Sequence, residues 1–204
     1  MVLLGLTGVM GAGKSALAQQ LGALGAIVID ADQIGHQVIE QPQIRQALIA
    51  TFGTSIVGEN NQLDRRQLGR LAFADAQSLQ RLNGLVRPVL EQALWQQIAT
   101  EKERIGRGLL ILDAPLIFEW NIAHRFDLVI VVHTDKAIRL ARLSKRGLTA
   151  AEIQRRMAGQ LTAKEKRSRA DIVVLNNGNR ASLRLEARAL WARLTQMYPA
   201  GKIE

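Results

Sequence analysis

Five short apolar runs with few polar residues inside them are spread along the chain. They lie at residues 2–6, 26–29, 109–112, 128–132 and 171–175, and helical patterns separate them. Strands that are apolar throughout are typical of a parallel sheet that is buried on both faces, because a sheet with one solvated face would alternate apolar and polar residues. The pattern therefore predicts a five-stranded parallel sheet covered by helices on both faces.

Almost eighty residues separate the second and third predicted strands, and they read as helices with apolar positions such as Leu48, Leu68 and Leu94. A crossover between parallel strands needs only about a dozen residues. We therefore predict a helical insertion at about residues 35–105, over one edge of the sheet. Ligands of open parallel sheets bind beyond the carboxyl ends of the strands, so an insertion there would form a lid or a second substrate pocket.

Length and composition narrow the class of protein. A chain of 204 residues with 48% hydrophobic and 22% charged residues fits one globular domain, 1–204. Its apolar runs are far shorter than the ~20 residues of a membrane-spanning helix, and no secretory signal is readable. The absence of cysteine excludes disulfides and thiolate metal sites. We expect a cytoplasmic monomer with no membrane partner.

The net charge of +9 indicates an anionic partner, and its excess lies in the C-terminal third. Residues 139–193 hold fourteen Lys and Arg against four acidic residues. Nucleic acid, a membrane surface and a polyphosphate metabolite all fit such a charge. Nucleic-acid binding would gain from aromatic residues for base stacking, but none occurs between Asp127 and Leu190. We therefore expect no nucleic-acid partner, with a nucleotide-gated nucleic-acid-binding protein as the alternative.

Residues 8–15 read GVMGAGKS and match the phosphate-binding loop pattern of Gly, four residues, Gly, Lys and Ser or Thr. The segment follows a predicted strand and opens a predicted helix, which is the context that this loop requires. Glycines let main-chain N–H groups approach phosphate oxygens, and the helix N-terminus points its free amides at the same anion. We expect Lys14 to bridge the β- and γ-phosphates of a nucleotide and Ser15 to ligate Mg²⁺. The predicted nucleotide-binding residues here are Gly8, Gly11, Ala12, Gly13, Lys14, Ser15 and Ala16.

Acidic residues at strand ends supply further candidates. Asp113 ends the third strand, where phosphate-loop enzymes carry the carboxylate that holds Mg²⁺, although a cap or turn residue before Pro115 is the alternative. Asp30 and Asp32 follow the second strand, which the usual wound order places next to the phosphate loop. One of them is a candidate to accept the proton of an attacking hydroxyl. Asp32 is alternatively the cap of a helix that begins near Gln33.

The remaining motifs favour a kinase over a GTPase. No Asn-Lys-x-Asp guanine motif occurs, and Asp113 is followed by Ala-Pro-Leu rather than by a glycine at the third position. Arg139, Arg142 and Arg146 are three and four residues apart and share one helix face. With the basic residues that follow, several would close over a triphosphate and exclude water. A solvated helix face is the alternative.

Short motifs run in a specific order along nearly the whole chain. They are residues 5–8 leading into the phosphate loop, Asp30 and Asp32 with His36, residues 63–65, Leu68, Phe73, residues 82–83 with Pro88, PLIFE at 115–119, Arg142 with Arg146, residues 156–160, residues 170–171, and Asn176 with Gly178. In this order they resemble the dephospho-CoA kinase family, which phosphorylates the ribose 3′-hydroxyl of dephospho-CoA with ATP. That reaction is the last step of coenzyme A synthesis.

The resemblance implies a three-layer α/β/α P-loop kinase fold with a five-stranded parallel sheet. The insertion at about 35–105 would then hold the acceptor, and a lid would lie at about 140–168. ATP and Mg²⁺ would be the cofactors and dephospho-CoA the substrate. A kinase for another small hydroxyl or for a nucleoside monophosphate is the alternative of the same chemistry.

The resemblance also assigns roles to residues. It implies that Asp32 is the candidate general base, that Arg142 belongs to the lid with a catalytic role, and that Asn176 and Gly178 lie near the adenine. One departure concerns Arg87, which stands before a proline where the family usually has His. We assign Arg87 no role.

Overall fold

A computed structural model describes residues 1–199 of the chain. It divides into two compact units. The first unit comprises Met1–Asp30 and the described residues from Thr100 onward, and the second comprises Ala31–Ala99. Among the described residues, no helix combines the length and the apolar character that crossing a bilayer requires.

The strands are β1 (Val2–Gly8), β2 (Ile27–Asp30), β3 (Leu109–Asp113), β4 (Leu128–His133) and β5 (Ile172–Leu175). They form one sheet in the order β2-β3-β1-β4-β5, and every pairing is parallel. The predicted five-stranded parallel sheet is confirmed. The expectation that the second strand ends next to the phosphate loop is wrong, because β3 lies between β1 and β2. All five β3 residues are buried, whereas β2 is short and half-buried, so β3 takes the inner position and β2 the edge.

The helices follow in chain order, with short 3₁₀ turns at Thr54–Ile56 and Ala123–Arg125. They are α1 (Lys14–Ala23), α2 (Ala31–Ile39), α3 (Pro42–Phe52), α4 (Arg65–Ala72), α5 (Ala76–Ile105), α6 (Lys136–Lys145), α7 (Ala150–Ala158), α8 (Ala163–Ser168) and α9 (Arg180–Met197). Helix α1 opens at Lys14, at the end of the phosphate-loop motif, as expected.

The core of the first unit explains why the strands are apolar on both faces. Leu4 and Leu6 of β1 pack in one cluster with Leu17 of α1 and Leu190 of α9. Leu3, the neighbour of Leu4 on the opposite face of the strand, is also buried, at 3% exposure, so that face is covered as well. A side chain on Gly5 would lie 2.9 Å from Ile117 and 3.1 Å from Phe126. Burial on both faces supplies the hydrophobic stabilisation of the sheet and leaves polar groups to the strand ends.

The second unit has a smaller core of its own. Leu48 and Ile56 are fully buried and cluster with Ile39, Leu63 and Leu68. Local signals set its helix ends: α3 begins at a proline, and the Asp64 carboxylate caps α4 by accepting from the N–H groups of residues 66 and 67 at 2.9 Å each. The segment between β2 and β3 is therefore helical, as predicted.

Candidate active site

The loop between β1 and α1 has a backbone that only glycine adopts readily. Gly11 and Gly13 have φ values of 80° and 90°, in the left-handed region. A side chain on Gly8 would lie 2.7 Å from the carbonyl oxygen of Val132, and one on Gly13 would overlap the Asn176 amide. The spacing of glycines in this loop therefore reflects both conformation and close packing.

The loop ends in a helix N-terminus with unused donors. Helix α1 has Gly13 as its N-cap residue, without a side-chain cap, and its first internal bond runs from Leu17 N to Gly13 O at 3.1 Å. The N–H groups of Lys14, Ser15 and Ala16 therefore have no intrahelical acceptor. Ser15 and Ala16 are exposed. These amides and the positive end of the helix dipole form an anion-binding end, as the motif predicts.

Lys14 and Asp113 meet below this loop. The Lys14 ammonium donates to the Asp113 carboxylate, whose side chain is 3% exposed. Asp113 ends β3 in register with Leu6, and the next amide, that of Ala114, donates to Leu6 O at 3.0 Å. The residue is therefore the buried strand-end carboxylate beside the loop and caps no helix.

The residues predicted near the adenine lie on the other side of the loop. Asn176 is 5% exposed, and its Nδ2 donates to the carbonyl oxygen of Ala12 at 2.8 Å. Arg142 donates from Nη2 to the carbonyl oxygens of Asn176 and Gly178 at 3.0 and 3.1 Å. The structure therefore brings together four of the residues that the sequence selected.

Thr134 belongs to the same group and was missed by the sequence argument. Its side chain is fully buried, and its hydroxyl lies 2.8 Å from the Ala12 carbonyl oxygen and 3.0 Å from that of Asn176. Its signal was a polar residue directly after β4. The search for acidic residues at strand ends does not select a threonine, so this position was not among the candidates.

The arginines that were predicted to share one helix face differ in burial. Arg139 is 4% exposed, and it donates to the carbonyl oxygens of Thr134 at 3.1 Å and Met10 at 3.4 Å. Burial lowers the pKa of its guanidinium. Arg146 follows the end of α6 and is exposed. Arg139 is thus neither a solvated residue nor an open lid residue, because its donors hold the main chain at the phosphate loop.

A second buried cation, Lys166, was also missed. Its ammonium donates to Pro115 O at 2.6 Å and to the Glu119 carboxylate at 2.8 Å. Burial lowers the pKa of Lys166, the bonded Glu119 opposes that shift, and the charge of Lys14 adds to it. The Thr7 hydroxyl donates to the same Pro115 oxygen at 3.0 Å. The segment after Asp113 is therefore fixed from two sides.

The two candidate bases differ in their surroundings. Asp30 ends β2 in register with Asp113, and its side chain is exposed. Asp32 is exposed and lies in the first turn of α2, which begins at Ala31. The alternative that Asp32 caps a helix beginning near Gln33 is wrong, because the helix starts before it. Asp32 belongs to the second unit, and its predicted role as base stays a prediction.

The donor set at the loop suits magnesium rather than a metal held by protein ligands alone. Asp113 and Ser15 offer one carboxylate and one hydroxyl, both oxygen ligands. Within residues 1–199, no group of three or more His, Cys, Asp or Glu could hold a metal ion. Mg²⁺ is usually bound through one or two carboxylates together with substrate phosphates. The residues present therefore fit a magnesium ion that arrives with a nucleotide.

Comparisons with known proteins agree with this geometry. A family model described as dephospho-CoA kinase matches residues 2–182. A dephospho-CoA kinase of Shouchella clausii is 38% identical over 180 residues, which cover 87% of this chain and 90% of that protein. One of Thermobifida fusca is 34% identical over 197 residues, covering 95% and 96% of the two chains.

Solved structures show the same architecture. TT1252 from Thermus thermophilus superposes with a TM-score of 0.78 at 32% identity, covering 96% of this chain and 97% of that one. The dephospho-CoA kinase from Campylobacter jejuni has a TM-score of 0.70 at 22% identity over 96% and 98%, which is a likeness of fold. The predicted P-loop kinase fold and the resemblance are confirmed.

Proposed function

Because the chain belongs to the dephospho-CoA kinase family, we propose that it transfers the γ-phosphoryl group of ATP to the ribose 3′-hydroxyl of dephospho-CoA. The observation that carries this proposal is the phosphate loop with the Lys14–Asp113 pair at the carboxyl end of β3. Phosphoryl transfer needs mainly positioning and charge stabilisation, and this loop offers both.

The loop supplies the phosphate contacts. Amides of the first turn of α1 bind phosphate oxygens, and Lys14 exchanges its bond to Asp113 for one to the β- and γ-phosphates. Its ammonium stabilises the negative charge on the transferring group. Asn176 and Gly178 line the adenine side. Hydrogen bonds to their carbonyl oxygens hold Arg142 beside the loop.

Asp113 and Ser15 would hold the magnesium ion that accompanies ATP. When bound, the ion would supply neutralisation of the phosphate charge. Release of the Asp113 carboxylate from Lys14 frees an oxygen for this role. The Asp113 carboxylate is therefore already buried and positioned at the end of β3 before magnesium binds.

Asp32 accepts the proton of the 3′-hydroxyl and orients that oxygen for attack. Residues 35–105 bind the acceptor, and residues 140–168 form a lid that excludes water. The enzyme acts as a cytoplasmic monomer without a nucleic-acid partner. Support for the base comes from its place in the Asp-x-Asp motif, at the start of α2.

The test is an ADP-release assay with ATP and dephospho-CoA, an acceptor-free control, and a panel of other hydroxyl acceptors and nucleoside monophosphates. We expect ADP formation that depends on dephospho-CoA. Faster turnover with another acceptor would show that the protein is a kinase for that acceptor instead. Salt-dependent retention on DNA or RNA, without acceptor-dependent ADP, would favour the nucleic-acid-binding alternative.

Asp32→Asn tests the base. We expect ATP binding to be retained and transfer to fall about a hundred- to ten-thousandfold, the usual contribution of a general base. Asp30→Asn is the matched control, since Asp30 is the other exposed carboxylate of the motif. Undiminished turnover of the Asp32 variant, or an equal loss in the Asp30 variant, would remove the assignment.

A further inference from the structure

The peptide between Ala12 and Gly13 is held by two side chains from outside the phosphate loop. Asn176 Nδ2 donates to the Ala12 carbonyl oxygen at 2.8 Å, and the Thr134 hydroxyl lies at the same distance from it. Both donors are buried, Asn176 at 5% exposure and Thr134 at 0%. This carbonyl group is therefore directed towards the ends of β4 and β5.

We propose that Asn176 and Thr134 are positioning residues that fix this peptide so that the Gly13 N–H faces the phosphates. The inference rests on the proposed function, because it concerns the nucleotide site of that enzyme. It assigns Asn176 a role in shaping the loop, beyond the place near adenine that the family resemblance gives it.

The orientation follows from peptide geometry. A peptide bond is planar, and in the trans form its C=O and N–H groups point in opposite directions. None of the described peptide bonds is cis. Since the Ala12 carbonyl is directed at Asn176 and Thr134, the Gly13 N–H points the other way. Two neutral donors thus set the direction of one anion-binding amide.

Asn176 is itself held in place by the sheet. Its N–H donates to His133 O at 2.8 Å, which continues the pairing of β4 with β5. Its carbonyl oxygen accepts from Arg142 Nη2 at 3.0 Å, and the Thr134 hydroxyl lies at the same distance. The side-chain amide therefore starts from a fixed backbone, and the end of the sheet sets the shape of the loop.

Packing at Gly13 provides a second, independent observation. A Cβ atom on Gly13 would overlap the Asn176 amide nitrogen. The amide therefore lies directly against the loop backbone. This close approach explains why the position requires glycine as much as its φ of 90° does.

Binding of magnesium tripolyphosphate, measured by titration calorimetry, tests the proposal because this probe carries phosphates and no base. Adenosine is titrated separately. We expect Asn176→Ala to weaken tripolyphosphate binding about tenfold, as the loss of one buried bond implies. Thr134→Val should weaken it about threefold, and Thr134→Ser should restore it.

Asn177→Ala is the matched control. Asn177 is the next residue, is exposed, and bonds with Asp135 rather than with the loop, through Oδ1 at 2.9 Å and Nδ2 at 2.9 Å. We expect its tripolyphosphate affinity to stay within about twofold of the wild type. An equal loss in this variant would overturn the proposal, since the effect would then belong to the whole segment.

Other outcomes also decide. If Asn176→Ala binds adenosine more weakly and tripolyphosphate normally, Asn176 reads the base and the proposal is wrong. If this variant does not fold, as circular dichroism would show, the Thr134→Val and Thr134→Ser pair decides alone. Wild-type protein that binds tripolyphosphate but forms no ADP with dephospho-CoA would refute the proposed function. If the wild type forms ADP with dephospho-CoA but the Asn176 and Thr134 variants bind tripolyphosphate as tightly as the wild type does, this inference alone is refuted.

Discussion

The phosphate loop, residues 8–15, and the basic segment, residues 139–169, both contain cations, but the cations have different partners. The loop exposes main-chain amides and one lysine whose partner is a carboxylate. The basic segment includes two cations that are almost fully buried, Arg139 and Lys166, and their donors bind main-chain carbonyl groups and Glu119. A charge excess in a sequence is therefore not a measure of the charge offered to a ligand.

The difference separates cations that act on substrate from cations that hold the protein around it. Lys14 changes partner when a nucleotide binds, in our proposal, whereas Arg139 and Lys166 keep theirs. Exposed residues of the segment, such as Arg146 and Lys164, remain candidates for the lid. Substitutions in each group distinguish these roles by how far the turnover of the folded protein falls.

The largest effect is expected for Lys14→Ala. Loss of a charged donor that acts on the transferring group should lower kcat a hundred- to a thousandfold. Stability should fall as well, because the change leaves the Asp113 carboxylate, which is 3% exposed, without its ammonium partner. Steady-state kinetics and thermal unfolding measure the two effects. Near-normal turnover in a folded variant would show that the loop is not the phosphate site.

Lys166→Met should lower stability with a much smaller effect on the turnover of the folded protein. It leaves the Glu119 carboxylate without its ammonium partner, and breaking a buried ion pair costs about 3 kcal/mol of unfolding free energy. The kcat of the folded fraction should fall much less than it does in Lys14→Ala. Lys164→Met, at an exposed position of the same helix, should cost less than about 0.5 kcal/mol.

A double variant sharpens this result. Lys166→Met with Glu119→Gln removes both charges, so it should be more stable than the sum of the two single changes implies. Urea unfolding of the four proteins gives the coupling free energy. Additive losses would mean that the pair contributes nothing beyond the separate side chains.

Arg139→Met should have an intermediate effect. Its guanidinium donates to the carbonyl oxygens of Thr134 and Met10, and hydrogen bonds from charged groups contribute about 1.5–3 kcal/mol. We expect a loss of about 2 kcal/mol in unfolding free energy and a higher KM for ATP, because Met10 lies in the loop. The control is Arg146→Ala, whose stability should stay within about 0.5 kcal/mol of the wild type. Equal losses of unfolding free energy in the two variants would show that the buried and the exposed arginine do not differ in their contribution to stability.

The same comparison explains what was predictable from sequence. The strands and the loop follow from local rules: apolar runs with two-sided burial, and glycines where the backbone needs them. Asp113 was found because a single strand places it. The roles of Lys166, Thr134 and Glu119 were not found, although Glu119 lies in the PLIFE motif, because these roles depend on contacts with residues that are 47 to 122 positions away. Helical spacing put Arg139 and Arg146 on one face, but it does not reveal where the helix ends.

The order of strands was also beyond local rules. The sequence placed the second strand next to the loop, but β3 occupies that place. Which strand is central depends on total burial across the sheet, and only the assembled core decides it. The consequence for the site is direct: the carboxylate beside the loop is Asp113, not Asp30.

The smallest effect concerns His133, which ends β4 close to cations of the basic segment. Burial lowers its pKa, the positive charges of Arg167 and Arg139 add to that, and Asp135 opposes it. The folded protein therefore binds this proton more weakly than the unfolded chain, so stability falls as pH drops below its ordinary value of about 6.5. Thermal unfolding between pH 8 and 5 should show a smaller decline in His133→Asn.

Arg167→Gln tests whether the exposed part of the basic segment acts on this histidine. Removing that charge should raise the pKa of His133 towards its ordinary value, and NMR titration measures it, with His133→Asn assigning the signal. Lys164→Met is the control, because Lys164 is exposed on the same helix and is not among the charges that shift this pKa. A pKa that does not move in the Arg167 variant would mean that this exposed cation does not act on His133. In that case the exposed cations would not shift the pKa of His133 at the end of β4, and they would act only on a bound ligand.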